Sequence, residues 1–421
     1  MAHHRSSDGR TGARRRSGRR GVSRGLVGSL LAVVLVSALV VVWAQLGDRI
    51  DRQGDQAAGN CVEGKTTVPV IADPDVAGAL GTIAEKYAET GPVVRDHCVT
   101  IAVRPGDAKI TLDGIASGTW DTQSMGAYPA AWIPQSSIWA DDLTTARPAA
   151  VDGKPTSLVS SPVVLATAPP LAKAFDGELD WQQLPTLQRR NGSLSTVGLD
   201  DWGSLRLAMP TGAQSDATAL SAQAVAMGVT RTNGTLTEQD ASSPRVASSI
   251  DAMQSGAPLS PDGTPVGAAR SIAEAADAAR SPIHAVAITE QALYQLTRTD
   301  TTARLAEVVP GGPTPIADYP IIRLTGSQVS PEQTDAIAEF FEFVTDPAQL
   351  ATLTALGFRG DAPMPDPTAT VTFPVTDDPM PTPEPAATVT INRLVFGPDS
   401  GPPAPVASQP ATGATSPASG G

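Results

Sequence analysis

The stretch VPVIADPDVAGALGTIAEKY, residues 68–87, decides the fold class of this chain. Its first five residues form a short apolar run typical of a buried strand, and Asp73-Pro74-Asp75 follows directly. Four apolar residues then recur at spacings of four, three and four, as on one face of a helix: Val76, Leu80, Ile83 and Tyr87. The stretch is therefore predicted to form a strand, a short loop and a helix.

A second strand is predicted at residues 99–103, after a Gly-Pro break. Two strands joined through a helix form a β-α-β unit, so they should be parallel neighbours in one sheet. Cys61 and Cys98 are the two cysteines of the chain, and each precedes one of these strands. In an oxidising compartment they should form a disulfide that closes a 38-residue loop; the alternative is two small buried thiols.

Strand and helix patterns keep alternating as far as residue 344. The Val-rich residues 157–167 predict a long strand, and the Ala-rich residues 215–227 predict a helix. A further helix is marked at Ser330-Pro331-Glu332-Gln333 by an N-cap, a proline in the first turn and a capping-box glutamine. This alternation over about 300 residues predicts an α/β fold divided into two lobes.

An unbroken apolar run from Leu26 to Leu46 lies upstream, and eight arginines precede it. At about 1.5 Å per residue, a helix of this length spans roughly 31 Å, enough to cross a bilayer core. The arginines should stay on the cytoplasmic side, which places the rest of the chain outside the membrane. Two alternatives remain open: a secretory signal cleaved near Val42-Trp43-Ala44, and a twin-arginine signal at Arg19-Arg20.

The chain is thus predicted to have five parts. They are a cytoplasmic basic segment (1–24), a transmembrane anchor (25–46), a spacer (47–64), a two-lobed domain (65–360) and a Pro/Thr/Ala-rich tail (361–421). The first lobe is expected to hold residues 65–156 and 289–360, and the second lobe residues 157–288. Fourteen prolines in the tail predict extended chain, although residues 369–375 and 387–396 alternate as strands do.

Charge and motif content exclude several function classes. The formal net charge is −13, and the first 46 residues carry eight arginines and one aspartate, so the remainder carries −20. Such an acidic exterior argues against nucleic acid or anionic lipid heads as partners. His97 and His284 stand alone, and no nucleophile, zinc or phosphate-loop motif occurs. We therefore expect no catalytic residues, no metal and no cofactor.

Several motifs together resemble bacterial extracellular solute-binding proteins, in particular the type 2 periplasmic-binding-protein-like domains of actinobacteria. Trp-x-Pro-x-Ser-Ser-x-Trp stands at residues 132–139, Ser-Ser-Pro-Val-Val at 160–164, Glu-Gln-Ala-x-Tyr at 290–294 and Asp-Tyr-Pro at 318–320. The resemblance implies two α/β lobes joined by two crossing strands, with a ligand bound in the cleft between them. Related chains often continue into a von Willebrand factor type A domain, whose Asp-x-Ser-x-Ser motif does not occur here.

Ten residues that follow predicted strands or open predicted helices are the candidate ligand-binding set: Asp73, Asp75, Ser124, Tyr128, Ser160, Ser161, Thr211, Gly212, Ser215 and Glu290. Free N–H groups at helix N-termini suit an anionic ligand, and the loop at residues 211–215 is the best candidate for this, with a plain N-cap and turn as its alternative. Asp73 and Asp75 place negative charge in the first loop. They disfavour a simple oxyanion and admit a cationic or neutral organic ligand.

Two functions therefore fit the sequence. The first is a membrane-anchored, extracytoplasmic, non-catalytic protein that binds a small molecule in an interlobe cleft, with an ABC-transporter permease or another envelope protein as its partner. The second is an envelope adaptor that uses the same fold without a small ligand. Solute binding requires a polar cleft and hinge motion of the lobes, whereas an adaptor requires an apolar patch or a strand edge for its partner.

Overall fold

The computed structural model of the chain describes residues 61–175 and 177–397. The predicted basic segment 1–24, the predicted anchor 25–46 and nearly all of the predicted spacer lie outside these residues. Within the described ranges, no helix is both long enough and apolar enough to span a membrane.

Strands and helices alternate along the described chain, as expected for an α/β fold. The strands are β1 (Gly64–Ala72), β2 (Val93–Val94), β3 (His97–Pro105), β4 (Ala131–Ile133), β5 (Thr156–Ser157), β6 (Ser161–Thr167), β7 (Leu207–Ala208), β8 (Ala285–Thr289), β9 (Ala306–Val308), β10 (Ile316–Ala317) and β11 (Pro320–Arg323). The helices are α1 (Pro74–Glu89), α2 (Ala108–Ser117), α3 (Thr122–Met125), α4 (Ile138–Ala146), α5 (Pro169–Phe175), α6 (Leu184–Arg189), α7 (Asp216–Thr230), α8 (Glu238–Ala241), α9 (Pro244–Gln254), α10 (Pro265–Glu274), α11 (Glu290–Thr297), α12 (Pro331–Val344), α13 (Pro347–Thr354) and α14 (Pro385–Phe396).

The first sheet has six strands in the order β2-β3-β1-β4-β11-β5. β1 pairs in parallel with β3, with Val68 opposite Ile101, so the predicted β-α-β unit is confirmed. β1 also pairs in parallel with β4, which brings the carboxyl ends of β1, β3 and β4 to one edge of the sheet. The apolar face predicted for α1 is buried against this sheet, at Val76, Leu80, Ile83 and Tyr87.

The second sheet is built around β6, the predicted Val-rich strand, whose seven residues are all buried. β6 pairs antiparallel with β8 on one side and with β9 and β10 on the other, and β7 joins β8. The chain passes between the sheets at residues 158–160 and again at residues 318–319. The first sheet with α1–α4, α12 and α13 is the first lobe, and the second sheet with α5–α11 is the second lobe.

The extent of the second lobe differs from the prediction. We expected the first lobe to resume at residue 289, but β9 and β10 both pair with β6 in the second sheet. The chain returns to the first sheet only at β11, which pairs with β4. β9 has three residues and β10 has two, so neither is long enough for a period-two pattern to be recognised in the sequence.

The predicted start of α12 is confirmed. Ser330 and Gln333 form a capping box, in which each side chain bonds the backbone of the other residue. The apolar stripe predicted for this helix is buried in the first lobe: Ile337, Phe340, Phe341 and Val344.

Residues 360–397, called the C-terminal segment here, pack along both lobes. The strand predicted at residues 387–396 is wrong, because these residues form α14, with buried positions recurring every four residues at Ala387, Ile391 and Val395. The β-branched residues at 388–391 favour a strand locally. Packing against α4 of the first lobe and α7, α8 and α9 of the second lobe overrides that preference.

The predicted disulfide between Cys61 and Cys98 is confirmed. Cys98 lies in β3 opposite Lys65 of β1. The bond therefore ties the chain just before β1 to the strand that neighbours β1.

Candidate functional site

Polar residues gather at the edge of the first sheet where β1 and β4 end. Asp73 follows β1, and its backbone N–H donates to the carbonyl of Ile133, the last residue of β4, at 2.7 Å. Asp73 is also the N-cap of α1, since its Oδ1 accepts from the backbone N–H of Asp75 at 2.9 Å. The strand pairing and the cap together hold two carboxylates at the start of one helix.

Three neutral side chains donate hydrogen bonds to these carboxylates. Gln135 Nε2 and Tyr319 Oη lie 3.1 and 3.0 Å from Oδ2 of Asp75. Gln214 Nε2 lies 2.7 Å from Oδ1 of Asp75 and 3.4 Å from Oδ1 of Asp73. These five residues are called the Asp73 cluster. Gln214 belongs to the second lobe, so the cluster crosses the interface between the lobes.

Two members of the Asp73 cluster have left-handed backbone conformations. The φ angle is +54° at Gln214 and +40° at Tyr319. A left-handed conformation costs free energy in a residue with a side chain, and it persists where the surrounding structure enforces it. Both residues direct donors at Asp75, so the strain coincides with the polar contacts between the lobes.

The carboxyls of the Asp73 cluster carry perturbed pKa values. Burial raises the pKa of Asp73 well above its usual range, and the neighbouring charge of Asp75 raises it further. Burial also raises the pKa of Asp75, although hydrogen bonds from Tyr319, Gln135 and Gln214 oppose the shift. Gln135 is 2% exposed, and its Oε1 has no hydrogen-bond partner among the described residues. Ionisation of these carboxyls is therefore unfavourable without a positive partner, and one buried acceptor also lacks a partner.

A second polar contact joins the lobes at Asp216, in the first turn of α7. Ser136 Oγ donates to its carboxylate at 2.6 Å, and Trp139 Nε1 donates to both of its oxygens at 2.8 and 2.9 Å. Asp216 is 2% exposed, and burial raises the pKa of its carboxyl to about 7.

A cavity of about 110 Å³ lies beside this contact. Its walls come from α4, from α7, from the crossing at Asp318 and from residues 380–388 of the C-terminal segment. Asp318 accepts hydrogen bonds from both the backbone N–H and the hydroxyl of Ser137. Burial raises the pKa of Asp141, another lining residue, to about 6. The cavity is acidic and is lined by these four separate parts of the chain.

The model of the family of bacterial extracellular solute-binding proteins matches residues 68–359. The chain belongs to this family. Two uncharacterised proteins of Mycobacterium tuberculosis, from strains CDC 1551 and H37Rv, are each 36% identical to it over 378 residues. The match covers 89% of this chain and 54% of each relative, so the chain spans about half the length of the curated relatives it matches.

Solved structures agree with this assignment at the level of the fold. The ferric binding protein of Campylobacter jejuni has a TM-score of 0.54 at 10% identity and covers 79% of this chain and 99% of its own. Iron-bound HitA of Pseudomonas aeruginosa has a TM-score of 0.53 at 13% identity and covers 80% and 99%. The resemblance predicted from the motifs is confirmed, and with it the mixed α/β, two-lobed fold of periplasmic binding proteins.

The predicted ligand-binding residues fall into separate places. Asp73 and Asp75 lie together in the Asp73 cluster. In the loop at residues 211–215, Thr211 is exposed, Ser215 is buried, and Gly212 donates its N–H to Gly263 at 3.0 Å. That loop reaches the cluster through Gln214, which the candidate set did not include.

Five other candidates lie away from the Asp73 cluster. Ser124 is exposed on α3 and donates to Asp121, while Tyr128 packs edge-on against Trp120. Ser160 pairs through its backbone with Arg359, and the hydroxyl of Ser161 accepts from the N–H of Gln291. Glu290 is buried in an ion pair with Arg359, with contacts of 2.9 and 2.6 Å. The carboxylate of Glu290 and the hydroxyls of Ser124 and Ser161 thus form hydrogen bonds within the chain.

Sequence reasoning left several polar residues of the interface out of the candidate set: Gln135, Ser136, Gln214, Asp216, Asp318 and Tyr319. The motifs at residues 132–139 and 318–320 could have indicated some of them. Polar residues in these motifs lie next to strand ends, and such residues meet at one edge of a sheet. The loop at residues 211–215 of the second lobe was a candidate from its position, but no local signal shows which of its residues contacts the first lobe.

Proposed function

We propose that this protein binds a small organic solute carrying a protonated nitrogen between its two lobes, outside the cytoplasmic membrane and without catalysis. The observation that carries the proposal is the pair Asp73 and Asp75 at the lobe interface, where Asp73 is buried, Asp75 is half-buried and only neutral side chains donate to them. Both lobes supply those donors, so a ligand that replaced them would interact with both lobes at once.

The electrostatics of the interface favour a cation. Five carboxylates lie at or beside the interface: Asp73, Asp75, Asp141, Asp216 and Asp318. None of them forms an ion pair with a lysine or arginine of the described chain. A desolvated carboxylate without a positive partner is costly, and a protonated nitrogen nearby would stabilise the ionised form and lower its pKa. The unpaired Oε1 of Gln135 would accept a further hydrogen bond from the same group.

The chemistry of the side chains supports an organic cation rather than a metal. The two structural neighbours are described as iron-binding proteins. Among the described residues of this chain, no three His, Cys, Asp or Glu side chains converge in a way that could hold a metal ion. The groups that do converge are carboxylates, amides and a phenol, which suit the N–H donors of an amine, an amidine or a guanidine.

The proposal includes a location and a partner. The apolar run at residues 25–46 and the arginines before it support an uncleaved anchor with the two-lobed domain outside the cytoplasm. A solute-binding protein held at the membrane would pass its solute to an ABC-transporter permease or to another envelope protein.

Native mass spectrometry of the full chain, purified from its own envelope, tests the proposal. We expect a retained small molecule that carries a positive charge and that raises the melting temperature when it is added back. A retained sugar or oxyanion would overturn the proposal, as would an empty protein whose melting temperature responds to no organic cation.

An adaptor role is a second candidate, favoured by the position of α14. This helix packs on α4 of the first lobe and on α7, α8 and α9 of the second lobe, which restrains hinge motion. Spin labels at the exposed positions Glu85 and Gln239 would report the distance between the lobes. One distance that no solute changes would favour the adaptor, whereas a solute-dependent change would favour solute binding.

A further inference from the structure

The cavity beside Asp216 has a wall that the family domain alone does not supply. The family match ends at residue 359, whereas Met380 and Thr388 of the C-terminal segment line the cavity together with residues of both lobes. Thr388 is 1% exposed and donates a hydrogen bond to Asp141. The C-terminal segment therefore supplies one wall of a partly open cavity at the lobe interface.

One buried side chain that lines the cavity lacks a partner. Gln223 lies on α7 and is 1% exposed, and its Nε2 has no hydrogen-bond partner among the described residues. A buried amide N–H without an acceptor is unfavourable. The cavity thus presents an unpaired donor opposite the carboxylates of Asp141 and Asp318, which can accept more hydrogen bonds than they receive.

We propose that this cavity is a second binding site, separate from the Asp73 cluster, for a small amino alcohol. The ammonium of such a ligand would donate to Asp141 and Asp318, and its hydroxyl oxygen would accept from Nε2 of Gln223. The carbons between them would contact the apolar part of the wall: Ile138, Leu220, Ile316 and Met380. The C-terminal segment covers the bound molecule, so binding stabilises its docked position.

The size of the cavity limits the ligand. Its volume of about 110 Å³ equals the share of three to four water molecules, at roughly 30 Å³ each in the liquid. Ethanolamine, whose skeleton is two carbons, one nitrogen and one oxygen, is of this size.

Calorimetric titration of the full chain with ethanolamine tests the second site, with ethanol and methylammonium as probes of the two halves of the ligand. Gln223→Leu replaces the amide with an apolar side chain and so removes the unpaired donor. Gln291→Leu is the matched control, since Gln291 is also 2% exposed with an unpaired amide oxygen but does not line the cavity. We expect ethanolamine to bind better than either half-ligand, Gln223→Leu to weaken it at least about tenfold, and Gln291→Leu to leave its affinity unchanged.

Two results would overturn the second site. The first is that ethanolamine gives no heat of binding at concentrations up to about 10 mM, roughly the weakest affinity worth assigning to a site. The second is that the wild type and Gln223→Leu bind ethanolamine with equal affinity. Asp75→Asn separates this proposal from the proposed function. Loss of ethanolamine binding in Asp75→Asn with full binding in Gln223→Leu would place the ligand in the Asp73 cluster and leave the cavity without a ligand.

Discussion

Trp139 of the first lobe donates its indole N–H to both carboxylate oxygens of Asp216 in the second lobe, at 2.8 and 2.9 Å. The same indole ring stacks on Phe396 of α14, with ring centroids 5.6 Å apart and an interplanar angle of 25°. One side chain therefore contacts both lobes and the C-terminal segment. The state of Asp216 and the docking of α14 should consequently both affect the stability of the two-lobed domain.

Replacement of Asp216 by asparagine should reduce the dependence of stability on pH. The pKa of Asp216 is raised from 3.8 to about 7 in the folded chain, so its stabilising contribution is complete below pH 3.8 and is lost as the pH rises through 7. Between those values the free energy of unfolding should fall by up to about 1.4 kcal/mol per pH unit from this group. Urea unfolding of the wild type and Asp216→Asn at a series of pH values from about 4 to about 8 measures the effect.

In that experiment the substituted side chain cannot ionise, so the variant should gain stability relative to the wild type as the pH rises. Asp141 and Asp142 have pKa values raised to about 6 and about 7, and they should keep part of the slope in the same direction. Asp335→Asn is the control, because its side chain is 45% exposed. Parallel pH profiles for Asp216→Asn and the wild type would show that Asp216 is ionised in the folded chain.

Shortening one buried side chain of α14 should destabilise the domain. Val395 is 3% exposed and packs between the lobes, so Val395→Ala should lower the free energy of unfolding by about 2 kcal/mol. Val375 lies in the same C-terminal segment but is 81% exposed, and Val375→Ala should change stability by less than about 0.5 kcal/mol. Equal effects of the two substitutions on urea unfolding would mean that α14 is not docked in solution.

Removal of the disulfide should destabilise the first lobe. The chain-entropy estimate for a loop of this length is about 4 kcal/mol. The double variant Cys61→Ser, Cys98→Ser should therefore unfold at a lower urea concentration than the wild type, and free-thiol titration of the denatured wild type should detect no thiol. Unchanged unfolding of the double variant would show that the loop is held by the pairing of β1 with β3 alone.

The sequence predicted those parts of the fold that have a local pattern. The face of α1 from Val76 to Tyr87, the parallel pairing of β1 with β3 and the capping box at Ser330 are each specified by residues close together in the chain. β9 and β10 were not predicted, and the residues of α14 were predicted to form a strand. The strands are too short to show a period, and the local preference of α14 opposes the structure that its packing selects.

The candidate site was predictable residue by residue only in the first lobe. Asp73 and Asp75 follow β1 in the sequence, so strand-end reasoning finds them. Gln214 and Asp216 reach the first lobe through contacts across about 140 and 80 residues of sequence, and no local pattern specifies such contacts. Glu290 was chosen by position at a helix start, but the chain uses it in an ion pair with Arg359.

Thermal unfolding of the full chain and of Asp75→Asn, recorded with putrescine and arginine as cations and with glucose and sulfate as controls, tests whether Asp73 and Asp75 bind a cationic solute. We predict that at least one cation raises the melting temperature of the wild type, that glucose and sulfate do not, and that Asp75→Asn loses the increase. Asp335→Asn should keep it. An increase of the same size in Asp75→Asn, or an increase with glucose or sulfate alone, would contradict the claim that Asp73 and Asp75 bind a cationic solute.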